Sequence, residues 1–143
     1  MYAALRAIPI PIDVVARLFH AASLLREHRG DGHIAALMVE GVGRLEAHVL
    51  FALDTGMPAE KFGRIHHLPA AQLAAVIDRM GDRGLIGDDG WLSEPGRAVK
   101  QRVEALTDDL AAKPYESLEA GELDELMATL EPLATRLLAA QDW

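Results

Sequence analysis

Along most of this chain apolar side chains recur at three- and four-residue spacing, and the runs are separated by glycine and proline. Between Leu68 and Arg83, the residues Leu73, Val76, Ile77 and Met80 share one face of a helix opened by Pro69. A proline at the first helical position is unpenalised, because its missing N–H would have no partner there. Gly84-Leu85-Ile86, the turn Gly87-Asp88-Asp89-Gly90 and the return Trp91-Leu92 then read as a two-stranded hairpin, with Trp91 packed beneath it. Ser93 follows as the N-cap of another helix. Helix, hairpin, helix is the outline of a winged helix-turn-helix, so the expected fold is mostly α with a small β-hairpin wing.

Upstream, Asp13 caps a predicted helix to Arg29 with Val15, Leu18, Ala22 and Leu25 buried and Gly30 as its stop. Asp31 caps a second helix to Gly41. A third spans Arg44 to Thr55, with Leu45, Val49, Ala52 and Leu53 inward, and a short one from Ala59 to His66 precedes the turn at His67-Leu68-Pro69. Downstream, Val99, Val103, Leu106 and Leu110 form one seam, and Leu123, Leu126, Leu130, Leu133 and Leu137 form another, which Pro132 should bend or split. Residues 1–12, with Ile8-Pro9-Ile10-Pro11-Ile12, read as an extended arm or linker remnant. Residues 13–143 read as a single domain, with the helix-turn-helix and wing at 58–97 and the terminal helices at 98–143.

Two stretches carry a family resemblance. Ile77-Asp78-Arg79-Met80-Gly81-Asp82-Arg83-Gly84-Leu85-Ile86, followed by Leu92-Ser93-Glu94-Pro95-Gly96-Arg97, resembles the signature of MarR-like winged-helix regulators over residues 58 to 138. Leu24-Leu25-Arg26-Glu27-His28-Arg29-Gly30-Asp31-Gly32-His33-Ile34-Ala35-Ala36-Leu37 resembles the hallmark of an actinobacterial MarR-like family whose members are about twice this long. The resemblance implies transcription regulation, double-stranded DNA as a partner, and a homodimer built by the terminal helices. It also implies that the chain matches a C-terminal half whose N-terminal domain is missing. Terminal Trp143 is either frayed or docked across the dimer seam.

Charge complicates that picture. The formal net charge is −8 in 143 residues, whereas a protein that displaces phosphate counterions needs a basic face. The excess acid lies in residues 97–143, with ten acidic and five basic side chains, but residues 58–96 carry six acids against four bases. In the recognition helix only Gln72 and Arg79 suit a base edge or phosphate, and Lys61 and Arg64 add backbone contacts. Asp78 has the wrong sign for phosphate, as do Asp88 and Asp89 at the wing tip. A winged helix kept as scaffold, with an eroded reading face, is the competing view.

The other polar concentration is Arg26 to His33. His28, Asp31 and His33 straddle a predicted helix junction, with His20 upstream and Glu46 and His48 in the third helix, and imidazole with carboxylate suits a small ligand or a metal such as zinc. The plainer alternative is structural: Asp31 caps a helix, Arg26 and Arg29 favour a helix C-terminus, and one of them pairs with Glu46. No specific cofactor is implied. The chain has no cysteine, no glycine-flanked serine and no glycine-rich phosphate loop, so an enzyme is not expected. No run is apolar enough to span a membrane and no signal pattern opens the chain, so no membrane partner and a cytoplasmic location are the expectations.

Overall fold

The structure, a computed structural model, describes residues 1–119 and 121–140. Trp143 lies outside the described residues. Six α-helices occur among them: α1 (Tyr2–Arg6), α2 (Val14–Val39), α3 (Arg44–Asp54), α4 (Ala70–Asp82), α5 (Glu94–Ala112) and α6 (Glu122–Ala139). None of these helices is long and apolar enough to cross a membrane. The chain divides into two compact units, Met1–Ala111 and Ala112–Trp143.

The first unit is built on α3, α4 and α5. Val49, Leu50, Val76, Met80 and Val103 are buried together with Ile65 from the loop before α4 and with Leu85, Ile86 and Leu92 from the turn after it. The expected inward faces of α3 and α4 are the observed ones: Val49, Ala52 and Leu53 are buried on α3, and Leu73, Val76 and Met80 on α4.

The β-hairpin wing is not formed. Among the described residues there is no β-strand, and the segment after α4 makes a single antiparallel bridge between Ile86 and Leu92. The fold is therefore all-α rather than α with a wing. Two residues on each side of a tight turn give too few ladder bonds to make a strand pair. The turn is held locally instead, by Gly87 N–H donating to the Trp91 carbonyl at 2.9 Å and Trp91 N–H donating to Asp89 Oδ1 at 3.0 Å. Trp91 stays 39% exposed, so it does not pack beneath a wing.

Four other expectations are corrected. Gly30 does not stop a helix: α2 runs unbroken through Gly30-Asp31-Gly32, which removes the junction expected there. A mid-helix glycine costs only about 1 kcal/mol relative to alanine, and Gly32 is where α5 approaches closely, since a Cβ there would lie 3.1 Å from Leu110 Cβ. Val15, Leu18 and Ala22 are exposed rather than buried, and Leu25 is half-buried. The helix expected at 59–66 shrinks to the 3-10 turn Ala59–Lys61, after which Phe62 adopts extended backbone and the segment continues in turns. Within residues 1–12, Tyr2–Arg6 form a helical turn rather than extended chain.

Ser93 caps α5 as expected, accepting from Gly96 N–H at 3.0 Å and donating to the Gly84 carbonyl. Gly96 itself is buried because α5 starts against the backbone of Leu85: a Cβ on Gly96 would sit 2.1 Å from the Leu85 carbonyl oxygen. Arg97 donates to the Leu92 carbonyl. The run Ser93 to Arg97 thus locks the turn onto α5.

In the second unit, the 3-10 turn Lys113–Ser117 precedes α6, none of whose residues is buried. Pro132 lies inside α6 without splitting it.

The two glycines give opposite expectations. Gly30→Ala should raise stability by about 0.5–1 kcal/mol, because the site is helical with no atom near a new Cβ. Gly96→Ala should cost about 3 kcal/mol or more, because its neighbour is backbone and cannot yield cheaply. Urea midpoints of the two variants check both; a destabilised Gly30→Ala would mean that the helix does break there.

Candidate functional site

α4 presents Ala70, Ala71, Gln72, Ala74, Ala75, Asp78 and Arg79 to solvent, the outward positions expected of it. Lys61 and Arg64 are exposed in the segment that leads to α4. None of Lys61, Arg64 or Arg79 makes an ion pair among the described residues, whereas Arg83 is taken up by Glu46 at 2.9 Å. The cationic edge is therefore Lys61, Arg64 and Arg79, interrupted on α4 by Asp78 and Asp82.

The His28–His33 region is resolved into separate roles. All of its residues lie on the continuous α2, so side chains on opposite sides of a helix cannot converge. His28 donates through Nε2 to the Leu110 carbonyl at 3.2 Å, and its ring packs against that of Tyr2 at a tilt of 55° with centroids 5.0 Å apart. Asp31 accepts from the Met1 amine at 3.3 Å and from Tyr2 N–H at 3.3 Å, so it receives α1 instead of capping the chain that follows it. Arg29 donates to Glu104 and Asp108 on α5 at 3.2 and 3.3 Å, and Arg26 pairs with its neighbour Glu27. Glu46 accepts from Gly43 N–H and Arg83, both at 2.9 Å, and not from Arg26 or Arg29. His20 lies further back on α2, half-buried. Among the described residues no three His, Asp or Glu side chains are grouped to hold a metal.

His33 differs from the others. Thr107 is fully buried on α5 and its hydroxyl donates to the Val103 carbonyl at 2.6 Å, so its oxygen must accept from His33 Nδ1–H, 2.9 Å away. That bookkeeping fixes the neutral tautomer with the proton on Nδ1 and leaves Nε2 as a free acceptor. Burial pushes the His33 imidazole below its ordinary value of 6.5; Arg29 and Lys100 push the same way, and Glu104 opposes them. Burial also acts on Glu104, upward, but Lys100, His33 and Arg29 together hold its carboxyl below the usual range.

His33 also lines a cavity of about 830 Å³ bordered by α2, α3 and the 62–64 loop. Ile34, Leu37 and Met38 form the α2 wall. Ala47 and Phe51 come from α3, and Phe62 closes against Phe51 with ring centroids 5.3 Å apart. Arg44, His48 and Arg64 supply its charged and polar lining. Burial lowers the His48 imidazole as well, followed by the positive fields of Arg64 and Arg44. Neither arginine has a hydrogen-bonded or ionic partner among the described residues. The sequence marks His33 and His48 as candidate ligands but not Arg44, whose local signal is a cation in the first turn of a helix, where an acid is favoured.

A sequence family described as the Helix-turn-helix family matches residues 1–143. Comparison with curated proteins and with solved structures returns no match.

The two lowered imidazoles make stability depend on pH in a known direction. A histidine whose folded value lies below its unfolded one binds fewer protons folded, so its contribution is complete above about pH 6.5 and declines as pH falls through the folded value. Stability should therefore drop between about pH 7.5 and pH 5.5, before the carboxylates begin to titrate. His33→Asn, which keeps an N–H donor for Thr107 and cannot titrate, should flatten that slope in urea titrations at the two pH values.

Proposed function

We propose, because the chain belongs to the helix-turn-helix family matched over residues 1–143, that it is a regulator-type domain that binds double-stranded DNA weakly through the exposed face of α4. The observation that carries this reading is α4 itself. Its apolar side is fully used on the core, and its outer side is small alanines with Gln72 and Arg79 projecting among them. Alanines let a helix approach a groove closely without supplying contacts of their own. Gln72 has the amide pair that suits an adenine edge, and Arg79, Lys61 and Arg64 offer charge to phosphates. Three cations neutralise few phosphates and Asp78 and Asp82 oppose them, which is why the affinity expected is low. The role is non-enzymatic and the expected location is the cytoplasm.

A homodimer belongs to the same reading. On α6, Leu123, Leu126, Leu133 and Leu137 are all 39% exposed or more, and a helix with one leucine seam and no buried residue supports pairing with a second copy.

The DNA reading is tested by fluorescence anisotropy of a labelled random duplex, titrated first at low salt. The Kd should be micromolar or weaker, and its logarithm should change with log salt at a slope of about 2 to 3, the value for three neutralised phosphates. Asp78→Asn should tighten binding about fivefold and Arg79→Ala should loosen it by a similar factor, each corresponding to roughly 1 kcal/mol. Absence of binding at low salt would remove the reading.

The dimer is tested by sedimentation equilibrium. Twice the monomer mass is expected, reverting to the monomer in Leu126→Glu/Leu133→Glu. A monomer in the unaltered protein would exclude it.

A further inference from the structure

We propose that the cavity between α2, α3 and the 62–64 loop is a binding site for a small organic anion with an aliphatic body, a medium-chain carboxylate in chemical class. Three features converge on that ligand. The walls are apolar and adaptable: Ile34 is 59% exposed, Met38 75% and Phe51 47%, an unusual exposure for side chains that border a concave surface. A volume of about 830 Å³ is the size of sites that take whole organic molecules rather than single ions.

The polar part of the lining is positive and uncommitted. Arg44 occupies the first turn of α3, where the helix dipole favours an acid over a cation, and the acid of that turn, Glu46, is engaged by Arg83 and not by Arg44. The nearby acids are already used: Glu46 is held by Arg83 and Gly43 N–H, and Glu40 by the fork of Arg102 at 2.8 to 3.1 Å. Arg64 is the second unpaired guanidinium on the same lining. Two unpaired guanidiniums beside an apolar wall suit a carboxylate head with its chain along α2.

The imidazoles refine the recognition. His33 spends its only N–H on Thr107, so in its neutral form it presents a lone pair and no donor. Burial, and after it the fields of Arg64 and Arg44, disfavour protonation of His48. The positive charge offered to the carboxylate is therefore that of Arg44 and Arg64.

The test is calorimetric titration of the full chain, without DNA, with decanoate, with decyltrimethylammonium and with butyrate. Decanoate should bind with one-to-one stoichiometry, while the cation of equal chain length and the short anion should not. Arg44→Gln, a change at an exposed position that leaves the core untouched, should weaken decanoate about tenfold or more, the effect of losing one charge-assisted contact. The ring signals of His33 and His48 in NMR spectra should move on addition of decanoate. Equal binding of decanoate and decyltrimethylammonium, unaltered decanoate affinity in Arg44→Gln, unmoved imidazole signals, or no heat with decanoate would each overturn the assignment. None of these readouts involves DNA, so they stand apart from the fate of the DNA reading.

Discussion

The close approach of α5 to the backbone of Leu85 is the constraint from which the rest of the first unit follows. With no Cβ on Gly96, the helix can begin directly against the Leu85 carbonyl, and Ser93 and Arg97 on either side absorb the Gly84 and Leu92 carbonyls that a strand partner would otherwise satisfy. The segment after α4 needs no hairpin, because α5 does the work of the second strand. The direction in which α5 leaves that contact decides where Val99 and Val103 enter the core and where Lys100, Arg102, Glu104 and Thr107 meet the preceding helices. A substitution at Gly96 therefore acts on surfaces far from it.

α2 is positioned by polar contacts more than by burial. Its one buried residue is Ala36, and its fixed points are Arg29 on Glu104 and Asp108, His33 on Thr107, Glu40 on Arg102, and His28 on the Leu110 carbonyl. Exposed ion pairs of this kind contribute little individually. The His33–Thr107 bond is different, since the Thr107 hydroxyl is fully buried and would be costly to leave without a partner. The density of charge between Arg26 and His33 is therefore explained as the edge of a helix-helix contact. Gly32 belongs to the same contact, where the missing Cβ lets Leu110 come close.

The acidity of the chain looks different once partners are assigned. Glu40, Glu46 and Glu104 are each held by an arginine or a lysine, so much of the negative charge in the first unit is neutralised in place. Four of the cations without an acidic partner among the described residues, Arg44, Lys61, Arg64 and Arg79, lie between the start of α3 and the last turn of α4. Net charge describes the field at long range, and the arrangement of unpaired groups describes what a ligand meets at contact.

How much of this was legible in the sequence differs between elements. The faces of α3 and α4 follow from periodicity, because each packs one stripe on a core and little else competes. The cap at Ser93 was equally readable, since it depends on residues only three apart. The wing was not, because Gly87-Asp88-Asp89-Gly90 describes a tight turn correctly without saying how many ladder bonds flank it. The glycines are the most instructive. Gly30, Gly32 and Gly96 look alike in sequence as helix punctuation, yet one faces open space, one a leucine side chain and one a backbone carbonyl. A glycine reports a freedom of the backbone, whereas the use made of it is decided by the element opposite, which for Gly96 and Gly32 lies outside the local stretch. The same distance hid the cavity: Arg44 is marked only by its unfavourable place on the α3 dipole, and nothing local joins it to Phe62, Arg64 and His33 until the fold brings them to one surface.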